Sequence, residues 1–135
     1  VYNVGLWGHV GDGGTENRQN TSLSKHYDIG TEDEGTIRGK QYQTDTGPID
    51  ILAISKDQKE FLVVELKKGK ASDVVVGQIL RYMGYISSEI CSDSQIVKGC
   101  IIALEDDLRI KNALTMTSNI EFYRYKVSFQ LFKNE

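Results

Sequence analysis

The sequence predicts an α/β fold, a mixed β-sheet flanked by helices, with elements in the order βββαβαβ. Three observations predict it. Between 37 and 66, alternating or continuous apolar runs end in polar turns. One stretch, 71–90, carries its apolar residues at helical spacing instead. The last third then returns to a buried run, a short helical segment and an alternating run. Strand patterns interrupted by single helical patterns are the mark of βαβ units.

Residues 1–36 offer no sustained period. "GHVGDGGTENRQNTSLSKH" is rich in Gly, Asn, Ser and Thr and reads as loop. Neither GK[ST] nor GxGxxG follows its glycines, so a phosphate loop is not expected. His9 and His26 stand alone there and read as solvated or hydrogen-bonded groups rather than metal ligands. The expected organisation is an N-terminal segment over 1–36, a linker or the remnant of an upstream domain, followed by one domain over 37–135. The chain does not begin with Met, as expected of a processed chain or a piece of a longer protein.

"IRGKQYQTDTG" (37–47) alternates as a strand, "TGP" punctuates, and "IDILAIS" (49–55) is the second strand. "KDQK" is a polar turn centred between Asp57 and Gln58, so "FLVVEL" (61–66) closes a hairpin. In "ASDVVVGQILRYMGYISSEI", Ser72 is the expected N-cap, with Asp73 in the first-turn field. Val76, Ile79, Leu80, Met83 and Ile86 form the apolar stripe, and Gly77 and Gly84 are expected to let the helix approach the sheet. "GCIIAL" (99–104) is a buried strand, "EDDLRIKNALTM" a short helix with acids in its first turn. "NIEFYRYKVSFQLF" (119–132) alternates as a long or bent strand, with Tyr123, Tyr125 and Phe129 read as packing residues.

Composition narrows the classes. With 135 residues, 39% hydrophobic and 26% charged, the chain is long enough for one packed core. It has no apolar run of membrane-spanning length, so no membrane partner is expected. No signal-peptide pattern opens it. Cys91 and Cys100 lack zinc-site spacing and read as free thiols of a cytoplasmic protein. The net charge of −3 argues against a general nucleic-acid coat but leaves room for a local basic patch.

"FLVVELKKGK" holds the chemistry. A charge within an apolar strand costs several kcal/mol unless it is paired or holds a metal. The turn at Asp57–Gln58 places Asp50 opposite Glu65, with Cβ atoms about 5 Å apart. Two opposed carboxylates repel until a hard cation such as Mg²⁺ joins them. Lys67 follows two residues after Glu65, so strand alternation gives it the same face. Two acids and an ammonium on one sheet face suit metal-dependent phosphodiester hydrolysis. On the helix, Gln78, Arg81, Tyr82 and Tyr85 share a stripe suited to phosphates and bases. Lys68 and Lys70 extend the positive surface in the preceding loop.

"GPIDIL", "VVELKKGK" and "GQILRYMGY" together resemble the PD-(D/E)XK nuclease superfamily. Asp50, Glu65, Leu66 and Lys67 match its Asp…Glu-x-Lys motif, and Gln78 with Tyr82 match the Gln-x-x-x-Tyr signature of RecB-like members. The pattern is most like the C-terminal catalytic domain of NucS/EndoMS-type endonucleases, through residues 38–55, 62–86 and 123–131. The resemblance implies a restriction-endonuclease-like core and a Mg²⁺- or Mn²⁺-dependent endodeoxyribonuclease of repair or defence. Mismatched, branched or single-stranded DNA is the implied substrate. It implies Asp50, Glu65 and the Leu66 backbone carbonyl as metal ligands. Lys67 would position or deprotonate the attacking water and stabilise developing charge, with Gln78 orienting the site and Tyr82 supporting it. Charge and position assign Lys40, Lys68, Lys70 and Arg81 to DNA contact; Lys40 stands where the family has Arg. A homodimer, or an additional N-terminal DNA-binding domain, is the implied assembly. The family's first core helix carries a further acid, for which 1–36 offers only Glu16, Glu32 and Glu34. The competing readings are an inactive nucleic-acid-binding or interaction module on a nuclease fold and a small-molecule phosphohydrolase.

Overall fold

The computed structural model describes residues 27–28 and 39–135. Among these residues, six strands and two helices follow in chain order: β1 (Tyr27–Asp28), β2 (Gly39–Thr44), β3 (Gly47–Ser55), β4 (Glu60–Leu66), α1 (Val74–Glu89), β5 (Ile96–Ala103), α2 (Leu108–Thr115) and β6 (Ile120–Arg124). The expected order holds from β2 onward, and β1 is an added strand within the segment read as loop.

β1 and β2 both pair with one edge of β3, and β4, β5 and β6 follow on the other side. The β3–β4 pair is antiparallel, with Ile51 opposite Val64 and Ile54 opposite Phe61. β4–β5 and β5–β6 are parallel, as the α1 and α2 crossovers require. The sheet is therefore mixed, as the sequence predicts.

Local chemistry fixes the hairpins. Between β3 and β4, Asp57 accepts from Ser55 Oγ at 2.6 Å and from the Lys59 N–H at 3.1 Å, while Gln58 takes a left-handed φ of 60°. Between β2 and β3, Thr44 Oγ1 donates to the Gly47 carbonyl at 2.5 Å and accepts from the Thr46 N–H at 3.2 Å.

Phe61 to Glu65 is buried throughout, so β4 is central. Its Phe61 and Val63 pack with Ile79, Met83 and Ile86 of α1 and Ile110 of α2. Both helices thus cover one face of the sheet. Leu62 and Val64 enter a second cluster on the opposite face, with Ile51, Cys100 and Ile102, bordered by Tyr27, Tyr123 and Tyr125. Each buried Val, Leu or Phe contributes about 1.5–3 kcal/mol.

Several expectations need correction. Asp73, not Ser72, precedes α1, and its side chain makes no capping hydrogen bond. Leu80 is exposed; Val75 and Tyr82 join the buried stripe instead, the tyrosine burying its ring while its hydroxyl accepts from Gln78. Gly77 and Gly84 meet nothing, and the close approach is at Gly99 on β5, where an added Cβ would lie 2.7 Å from Met83 Sδ. The acids before α2 are outside its first turn, where Asp107 caps by accepting from the Ile110 N–H at 2.9 Å. The last strand ends at Arg124, and Phe129 is exposed rather than packed. Both cysteines are free thiols. Among the described residues, no helix is long and apolar enough to cross a membrane.

Candidate active site

One step beyond the Ile51–Val64 pair stand Asp50 and Glu65, where the hairpin opens away from its turn. Phe61 and Val63 face α1, so alternation carries Glu65 and Lys67 to that face. Asp50 stands close enough to Glu65 to act on its carboxyl directly. The Leu66 N–H donates to Asp50 Oδ2 at 2.8 Å, tying the aspartate across the strands.

Among the described residues, Glu65 is the one charged residue that is buried, at 2% exposure. Its Oε1 has no hydrogen-bond partner. Burial pushes its carboxyl up to about 7, Asp50 adds to that rise, and Lys67 opposes it. This arrangement is costly by itself, because a buried carboxylate next to another acid resists ionisation. A bound divalent cation inverts that logic and makes the ionised pair favourable. The orphaned oxygen, the oxygen-only donor set and the opposed acid all fit a hard cation. Among the described residues no group of three or more His, Cys, Asp or Glu side chains gathers as a metal site. Among the described residues, a cation here would draw on two side-chain acids together with backbone oxygen or water.

Lys67 is half-buried, and its Nζ donates to Gln78 Oε1 at 3.3 Å. Gln78 Nε2 in turn donates to the Tyr82 hydroxyl at 3.3 Å. The chain of bonds links the end of β4 to α1 and orients the ammonium beside the acids. It ends against Gly47, whose φ of +127° suits glycine and whose added Cβ would sit 3.2 Å from the Tyr82 hydroxyl.

The structure thus gathers Asp50, Glu65, Leu66, Lys67, Gln78 and Tyr82. The flanking cations are more dispersed. Arg81 is exposed on α1. Lys70 is exposed and lies 3.9 Å from Asp107 Oδ2, and its backbone bridges Glu105. Lys68 is exposed, and its carbonyl accepts from the Tyr125 hydroxyl. The side chain of Lys40, like His9, His26, Glu16, Glu32 and Glu34, lies outside the described residues.

Two residues at the site were not singled out by sequence. Gly47 is one. Gln41 is the other: it faces Asp50 across the β2–β3 turn, a relation that counting outward from Asp45–Thr46 reveals.

The family described as the endonuclease NucS C-terminal domain matches residues 16–133, reaching into the segment before 37. A repair endonuclease from Pyrococcus abyssi is similar in structure, with TM-score 0.55 and 25% identity over 64% of this chain and 36% of that one. An EndoMS–dsDNA2 complex gives TM-score 0.55 and 23% identity, covering 67% of this chain and 36% of that one. EndoMS in apo form gives 0.52 and 23%, over 70% and 38%. This chain spans little more than a third of the length of these structures. No curated protein matches it at a significant level. With a match running across 16–133 and a sheet shared with a repair endonuclease, the chain belongs to the endonuclease NucS C-terminal domain family.

Proposed function

We propose that this domain is a metal-dependent endodeoxyribonuclease that hydrolyses phosphodiester bonds. The observation that carries the reading is Glu65, buried, with an unpartnered oxygen and a second acid across the strand pair. Family membership and the repair endonuclease among the structural relatives support the DNA-cleaving class.

Asp50, Glu65 and the Leu66 carbonyl are the residues that would hold Mg²⁺ or Mn²⁺. When bound, that ion would supply Lewis-acid activation of the phosphate and of water. The chain's own residues do the rest. Lys67 presents an ammonium where negative charge grows on the phosphoryl oxygens, and it orients the attacking water. Gln78 keeps that ammonium directed toward the acids, and Tyr82 supports Gln78 from the edge of the core. Lys40, Lys68, Lys70 and Arg81 supply phosphate contacts, which position a strand without reading its sequence. Mismatched, branched or single-stranded DNA is the substrate we infer. The relative held in a complex with dsDNA supports DNA as partner.

A nicking assay on plasmid and mismatched duplex, with Mg²⁺, Mn²⁺ or EDTA, tests the reading. Metal-dependent cutting is expected, with Lys67→Ala abolishing it while DNA binding persists. DNA binding without cutting in any metal would make the domain an inactive binding module. Steep weakening of binding with salt separates a DNA substrate from a small phosphoester.

A further inference from the structure

We propose that Gln41 is a positioning residue that orients Asp50 for cation binding. β2 and β3 pair at Gly39–Leu52, Lys40–Ile51, Tyr42–Ile49, Gln43–Pro48 and Thr44–Gly47. The step missing from that ladder is Gln41 opposite Asp50. There the backbone of Gln41 turns left-handed, at φ 51°. A side chain other than Gly, Asn or Asp is disfavoured in that region, and such conformations gather at functional sites when their surroundings hold them.

The surroundings do hold it. Gln43 Nε2 donates to the Gln41 carbonyl at 3.4 Å. The turned residue directs its own Nε2 to Asp50 Oδ1 at 3.3 Å. Asp50 Oδ2 already accepts from the Leu66 N–H at 2.8 Å. The carboxylate is therefore held by both oxygens, one by the β4 backbone and one by the β2 side chain. Each oxygen keeps a further lone pair for a cation.

The residue type suits the task. A lysine here would neutralise Asp50 and compete with a cation, and a carboxylate would repel it. An amide fixes the orientation and leaves the full charge available. Carboxylates that ligate metals are themselves hydrogen-bonded in this manner.

This inference rests on the proposed metal site, and its test separates the two. Mn²⁺ is titrated into wild type, Gln41→Gly and Gln41→Ala, with free Mn²⁺ followed by electron paramagnetic resonance and thermal melts recorded in EDTA. Glycine suits the left-handed backbone, so Gln41→Gly is expected to melt at or above the wild-type temperature. Its Mn²⁺ affinity is nevertheless expected to fall about 10-fold or more, as for loss of a ligand's hydrogen-bond partner. Gln41→Ala is expected to lose affinity equally and to melt lower. Wild-type affinity in a well-folded Gln41→Gly overturns the inference and leaves the metal site standing. Absence of Mn²⁺ binding by wild type overturns the metal site, and this inference with it.

Discussion

Glu60 and Glu65 lie on the same strand, five residues apart, and are held in opposite ways. At the turn end of the hairpin, Glu60 accepts from the Tyr27 hydroxyl and pairs with Lys98 at 2.8 Å. Burial and the Glu60 bond push the Tyr27 phenol up, as expected of a donor locked onto a carboxylate. At the open end, Glu65 is more deeply buried, has a second acid for a neighbour, and leaves one oxygen without a partner. One end of the hairpin satisfies its charge with protein atoms; the other leaves a buried carboxyl oxygen without a protein partner.

The largest expected effect breaks the open end. Glu65→Gln should cut metal-dependent cleavage at least about 100-fold, comparable to removing a group that stabilises transition-state charge. In EDTA at pH 8 the same variant should be no less stable than wild type, since a neutral amide replaces a carboxylate that burial opposes. Retained cleavage, measured on nicked plasmid, would remove Glu65 from the site.

Next comes pH. The Glu65 carboxyl rises from 4.5 to about 7 on folding, so the folded state favours the protonated form. That preference is fully present below 4.5 and is lost as pH climbs through about 7. Metal-free wild type should lose up to about 3 kcal/mol relative to Glu65→Gln across that window. Urea melts at pH 4.5 and 8 measure the difference, and added Mg²⁺ should abolish it by binding the ionised pair.

The smallest effect sharpens the contrast at the closed end. Glu60→Gln should cost about 1 kcal/mol, the scale of a partly exposed ion pair with one added hydrogen bond. Cleavage and metal affinity should stay at wild type. A fall in either would show that the two ends are coupled.

Much of this hairpin was legible in the sequence. "KDQK" fixes the turn, the turn fixes the register, and the register sets Asp50 against Glu65. Lys67 follows by alternation, and Gln78 by its place on the helix. The helix face was less legible, because a tyrosine such as Tyr82 reads as polar on a wheel while its ring enters the core. That error put Leu80 inward and credited Gly77 and Gly84 with a close approach that belongs to Gly99. The C-terminal alternation past Arg124 misled for another reason. β6 ends the order of the sheet, and period-2 patterning forms a strand only where there is a neighbour to pair with. Counting outward from the β2–β3 turn pairs Gln41 with Asp50, but glutamine carries no local signal for the left-handed backbone it adopts there.

The most direct test of the proposed metal centre is calorimetric titration of Mg²⁺ into metal-free wild type and Glu65→Gln near pH 7, in two buffers of different ionisation enthalpy. Wild type should bind Mg²⁺ and release a fraction of a proton as Glu65 ionises, with Glu65→Gln showing neither. No binding by wild type, or equal binding by both proteins without proton release, would contradict the account.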